Sequence, residues 1–168
     1  DSPILNITDK YFRALCKSII YQQLSGKAAN VIYSRFLDLY SDREPDCNAT
    51  LRLEERSLKG IGLSRQKIDY IRSLSSFFIE RGTSIDFTSL SDEQVRKELL
   101  GVRGVGDWTV DMFLMFTMGR TDILPYGDLG IKKGFQILFH LNQIPDKEFM
   151  RSNSEEWRPY RTVASCYL

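Results

Sequence analysis

The segment Leu99-Leu100-Gly101-Val102-Arg103-Gly104-Val105-Gly106-Asp107-Trp108-Thr109 constrains the fold more than any other part of the chain. It reads as two helices joined by a glycine-rich hairpin. Glycines at 104 and 106 carry no Cβ, so the backbone can turn tightly and lie close to another surface. The N–H groups of the turn, and those opening the next helix, lack partners within that helix. Together they form an anion site. The carbonyls of Leu100, Val102 and Val105 are expected to converge there without helical partners, where a monovalent cation, Na+ or K+, would satisfy them. Arg103 and Thr109 add side-chain contacts. A shorter echo of the turn occurs at Lys59-Gly60-Ile61-Gly62-Leu63-Ser64-Arg65.

Elsewhere the apolar residues recur with helical spacing, and strand alternation is absent. Thr8-Asp9-Lys10 caps a first helix running to Gln23, with Phe12, Leu15, Ile19 and Ile20 on one face. After Ser25-Gly26, a second helix carries Ala28, Val31, Ile32, Phe36 and Leu39. A loop from Arg43 to Asn48 precedes a short helix over Leu51 to Leu58. Ser64 caps a helix that aligns Ile68, Ile71, Leu74 and Phe78, and Gly82-Thr83 ends it. Ser91 and Gln94 match a capping box for a helix to Leu100. An apolar helix follows from Asp107 to Met118, then a bend at Asp128, a helix to His140 and a polar connection. Pro159 suits the first position of a last helix, Tyr160 to Leu168. The expected fold is all-α: one domain over residues 1–168, in two helical lobes, with both termini in one lobe and the hairpin in the other.

Composition narrows the function. A hydrophobic content of 42% describes a folded globule. Lysine and arginine total 23 against 22 acidic residues, a net charge of +1. No global field draws the chain to a polyanion, so any grip on nucleic acid must come from a local patch and backbone dipoles. Cys16, Cys47 and Cys166 are widely spaced and fit reduced thiols in an intracellular protein. The single histidine, His140, cannot build a histidine metal site. No apolar run is long enough to span a bilayer, and none reads as a signal peptide.

Four features can carry chemistry. Asp128 lies in Leu124-Pro125-Tyr126-Gly127-Asp128-Leu129-Gly130. Read alone, it is a helix N-cap. Its apolar neighbours Ile123, Leu124, Pro125 and Leu129 would make a buried carboxylate costly without a purpose. A carboxylate facing a nucleotide sugar can stabilise an oxocarbenium ion or orient an attacking water. Trp108 is either core or an aromatic wall for a base turned out of a duplex. The turn Gln22-Gln23-Leu24-Ser25-Gly26-Lys27 is either a plain connection or a wedge for the gap such a base leaves. Lys27, Arg65, Lys67, Lys132 and Lys133 are candidate phosphate contacts, each weak alone.

Taken together, these residues resemble the helix-hairpin-helix superfamily of DNA glycosylases, in its 3-methyladenine DNA glycosylase II branch with the yeast members. The resemblance runs from Gln22-Gln23-Leu24-Ser25 through Gly62-Leu63-Ser64-Arg65-Gln66-Lys67, the hairpin and Gly127-Asp128-Leu129-Gly130 to Trp157-Arg158-Pro159-Tyr160-Arg161. It implies an all-α fold and a monomer that binds double-stranded DNA holding an alkylated base or an abasic site. It also implies hydrolysis of the N-glycosidic bond without a required cofactor, and a nuclear location, with the mitochondrion as the alternative. It makes Asp128 the catalytic carboxylate, Gly104, Gly106, Thr109 and Arg103 the phosphate clamp, and Gln23, Leu24 and Ser25 the wedge. Lys27, Arg65 and Lys133 are further DNA contacts. Relatives that also cut the strand carry a Schiff-base lysine where Trp108 stands, and tryptophan forms no imine, so water is the implied nucleophile.

The base pocket implied by the resemblance holds Trp108, Met112 and Cys166, and here the chain departs from the family. Cys166 replaces a frequent tail tryptophan, and Met112 an aromatic of some bacterial relatives. Members active on alkylated bases can also carry a bulkier residue than Ser25 or Gly26 in the wedge loop. A stacking contact is worth about 1 to 3 kcal/mol per base, so its loss weakens lesion reading while sparing DNA binding. Two expectations follow: a monofunctional glycosylase for alkylated purines, or a glycosylase-like protein that binds abasic or damaged DNA with little excision. A helix-turn-helix regulator fits poorly, because Val110 to Phe116 reads as core where a recognition helix should be polar.

Overall fold

Helix α5 (Arg65–Glu80) organises the first half of the chain. Ser64 caps it, its side chain accepting the N–H of Lys67, and Ile68, Ile71, Leu74 and Phe78 are buried along one face. Fully burying a side chain of this size stabilises by about 1.5 to 3 kcal/mol. The computed structural model describes residues 10–168. Among these, ten α-helices and three short 3-10 turns occur, with no strand.

The described chain divides into two compact units, residues 10–109 and Val110–Leu168. In the first, α5 packs against α1 (Tyr11–Tyr21), α3 (Cys47–Arg52) and α4 (Glu55–Gly60), and α1 also packs on α2 (Gly26–Leu37). Phe12 of α1 meets Phe78 of α5 edge-to-face at 5.5 Å. Helix α6 (Asp92–Leu100) opens on the expected capping box of Ser91 and Gln94, and buries Val95 and Leu99. Helix α7 (Asp107–Phe116) follows the glycine turn, and the boundary between the units falls within it. Val110, Phe113, Leu114 and Met115 are all buried, as a core helix requires.

The second unit holds α8 (Leu129–Leu138), α9 (Lys147–Asn153) and α10 (Arg161–Ser165). Leu124, Phe135 and Met150 form its core, with Phe139, Phe149 and Trp157 packed around them. Residues 120–123 are laced to α10. Arg161, only 8% exposed, donates to both oxygens of Asp122 at 2.6 and 3.0 Å. Thr162 accepts from the N–H of Ile123 at 2.9 Å and donates to the carbonyl of Arg120 at 2.7 Å. Burial pushes the Asp122 carboxyl up, but the hydrogen bonds and charge of Arg161, with the charge of Arg158, outweigh it and hold the group below its ordinary value. Stability from this pair is present above the ordinary carboxylate range and is lost as pH falls through the lowered value.

Several local expectations are corrected. The Thr8-Asp9 part of the first cap lies outside the described residues, and Lys10, at the N-cap, makes no side-chain cap bond. Helix α2 buries Ala29, Phe36 and Leu37, while Val31 faces solvent. The helix expected over Leu51 to Leu58 is two helices, α3 and α4, broken at Leu53-Glu54, and α3 starts inside the expected loop on an Asp46 cap. The polar connection contains α9, capped by Asp146. Pro159 precedes α10 by two residues instead of opening it.

The two hairpin glycines have different jobs. Gly104 adopts φ +91°, and a Cβ there would stand 2.1 Å from Cγ of Tyr70 on α5. Gly106 is exposed, and a Cβ on it would meet nothing within 4 Å. Gly104→Ala should therefore destabilise by about 2 kcal/mol or more, and Gly106→Ala by less than about 0.5 kcal/mol. Urea unfolding checks this, and equal losses at both positions would count against it.

Candidate functional site

In the first unit the candidate residues gather at the hairpin. Arg103, Gly106 and Asp107 are exposed, whereas Val102 and Val105 are buried beneath them. The turn thus points its apolar side chains inward and the backbone at Gly106 outward. The opening N–H groups of α7 have no acceptor further along that helix, and they carry the positive end of its dipole. Asp107 opens the helix with a side chain 82% exposed, 3.6 Å from the guanidinium of Arg96. The arginine offsets a carboxylate that would otherwise repel an incoming anion.

The side chain of Thr109 is only 2% exposed. Its hydroxyl accepts the amide of Gln22 at 3.0 Å, so it braces the turn from within, which corrects the expected direct side-chain contact with DNA. The carbonyls are also corrected: that of Val102 accepts the N–H of Val105 at 3.0 Å and is not bare.

The expected wedge lies in the same unit. Gln23, Leu24 and Ser25 are exposed on the turn between α1 and α2. Gln23 holds φ +57°, which turns the chain sharply. Ser25 caps α2 by accepting the N–H of Ala28, so Gln23 and Leu24 form the projecting tip. Lys27 and Arg65 are exposed. Lys67 is not a surface cation: its ammonium donates to the carbonyls of Ile20 at 2.7 Å and Gln22 at 2.8 Å, and burial lowers its pKa. It satisfies the end of α1, where helical carbonyls lack partners.

Three residues that carry this geometry escaped the sequence reading as such. Gln22 reaches the hairpin, Tyr70 lies under Gly104, and Lys67 holds the loop. The only signal was the placement of Lys67 and Tyr70 three apart on α5, on one helical face.

Asp128 and Cys166 lie in the second unit. Asp128 is half-buried and is the N-cap of α8, its Oδ1 accepting the N–H of Ile131 at 3.0 Å. Its own N–H donates to the carbonyl of Pro125 at 2.9 Å, closing the bend. Of its apolar neighbours, Ile123, Leu124 and Pro125 are buried and Leu129 is 56% exposed. The cap fixes the direction of the Asp128 side chain. Trp108 and Met112 are half-buried, one turn apart on α7. Cys166 is exposed at the C-cap of α10. Lys133 is exposed on α8, and Lys132 is half-buried. Among the described residues no group of three or more His, Cys, Asp or Glu side chains could hold a metal ion, and no helix is long and apolar enough to cross a membrane.

Comparison with known proteins identifies the family of the chain. DNA-3-methyladenine glycosylase 1 of Schizosaccharomyces pombe is 32% identical over 160 residues, covering 94% of this chain and 70% of that protein. A putative DNA-3-methyladenine glycosylase of Bacillus subtilis, YfjP, is 30% identical over 94% of this chain, which spans 57% of its length. The structure of S. pombe 3-methyladenine DNA glycosylase Mag1 in complex with abasic DNA superposes with a TM-score of 0.88 at 30% identity, covering 98% of this chain and 82% of that one. Residues 16–159 match the family described as HhH-GPD superfamily base excision DNA repair protein, and the chain belongs to that superfamily.

Proposed function

We propose that this chain is a monofunctional DNA glycosylase that removes alkylated purines of the 3-methyladenine type by hydrolysing the N-glycosidic bond. The observation that carries the reading is the carboxylate of Asp128, fixed by the N–H of Ile131 at the start of α8 and only half-buried. Similarity to 3-methyladenine glycosylases over nearly the whole chain supports it.

The roles divide by chemistry. Backbone N–H groups of the hairpin, with Arg103, Lys27, Arg65 and Lys133, hold the phosphate backbone. A Na+ or K+ ion on the hairpin carbonyls would add positive charge there, and no cofactor is required for the reaction. The Gln23-Leu24 tip fills the gap left by a base turned out of the duplex. Trp108 and Met112 offer aromatic and polarisable surface to that base. An alkylated purine is cationic, so its bond to C1′ breaks with the electron pair leaving on the base, which becomes neutral. The sugar is left as an oxocarbenium ion, which Asp128 stabilises by charge. Water adds through its oxygen at C1′, and its proton is released. Trp108 cannot form an imine, so the strand stays intact. A protein acting on DNA works where DNA is kept, and the nucleus is the proposed compartment.

The test is one protein with two readouts: base release from methylated duplex DNA, and affinity for a duplex with an abasic-site analogue. Asp128→Asn should lower release by at least about 100-fold while changing the affinity by less than about threefold. A wild-type protein that binds the analogue tightly yet releases no base would overturn the catalytic reading in favour of a damage binder. In that case Cys166→Trp, by restoring a ring to the tail, would show whether the missing aromatic is the cause.

A further inference from the structure

The Gln22 side chain spans two segments far apart in sequence. Its Nε2 donates to the carbonyl of Gly104 at 2.9 Å and to the hydroxyl of Thr109 at 3.0 Å. A carbonyl only accepts, so the amide nitrogen must face the hairpin. The backbone of Gln22 is held from the other side, its carbonyl accepting the ammonium of Lys67 at 2.8 Å. Lys67 lies three residues before Tyr70, whose ring supports Gly104. One face of α5 thus holds the loop through Lys67 and the hairpin through Tyr70, and Gln22 joins the two directly. The next residues, Gln23 and Leu24, are the exposed tip.

We infer that Gln22 is a positioning residue that makes the hairpin and the Gln23-Leu24 tip a single binding element, so that gripping a phosphate and inserting the tip occur together. Neither contact of Nε2 is needed to form a helix, since α1 ends at Tyr21 and α7 starts at Asp107. The inference rests on the DNA-binding reading above. A phosphate drawn to the N–H groups of the turn pulls on the Gly104 peptide, whose carbonyl is tied to Gln22. Displacement of the tip is passed to the hairpin by the same bond.

A double-mutant cycle separates this coupling from a merely structural role. Affinity for a duplex with an abasic-site analogue is measured for wild type, Leu24→Ala on the tip, Arg103→Ala on the hairpin, and both together. The cycle is repeated in Gln22→Met, which keeps the length of the side chain and removes both donors. With Gln22 present, the combined effect should depart from the product of the single effects by about fivefold. In the Gln22→Met background, it should match the product within about twofold. If Gln22→Met does not fold by circular dichroism, Thr109→Val takes its place, removing one acceptor at constant shape, and should shrink the coupling. Equal coupling with and without Gln22, or none in wild type, overturns the inference while leaving DNA binding intact. No binding of the analogue by wild type overturns the DNA reading itself.

Discussion

The tightest constraint in this fold is the contact between the Gly104 backbone and the Tyr70 ring. The chain passes so near the ring that even a methyl group would collide with it. Everything on the hairpin follows from that approach. Val102 and Val105 are drawn into the core, and Gly106 and Asp107 are left outside to open α7. The Gly104 carbonyl comes within reach of Gln22. A backbone that must offer its N–H groups to a ligand cannot be stiffened by those same groups, so its rigidity comes from a glycine against an aromatic face and from carbonyl-side bonds.

Asp128 shows the same economy in the second unit. The carboxylate caps α8 and so holds a defined direction, and the residues leading to it are tied to α10 through Asp122, Arg161 and Thr162. The C-terminal helix, short and poor in apolar residues, contributes mainly by this lacing.

Much of this was legible in the sequence. The buried face of α5, the Ser64 cap, the Ser91 capping box and the core character of α7 follow from periodicity and cap chemistry alone. The illegible parts share a cause: they depend on what lies opposite. Helix α2 shifts its buried stripe to Ala29 and Phe36, and Ile32 packs on Gly62, whose φ of +103° bends the turn before α5. Helix α9 buries only Met150, so its amphipathic signal is faint. Lys67 and Thr109 look like surface contacts in a one-dimensional reading, yet their partners are backbone carbonyls and an amide brought near by the fold. Asp128 stands out in sequence because bend, acid and glycines adjoin there, whereas Gln22 bonds a residue more than eighty positions away.

If peptide N–H groups at the hairpin hold a DNA phosphate, they must respond when DNA arrives. Amide chemical shifts of the isotope-labelled protein, followed by NMR as a duplex with an abasic-site analogue is added, report on each of them separately. The amides of Gly104 and of residues 106–109 should move most and slow their exchange with solvent. Large shifts elsewhere on the surface, with those amides unmoved in the saturated complex, would mean that the hairpin is not the phosphate clamp.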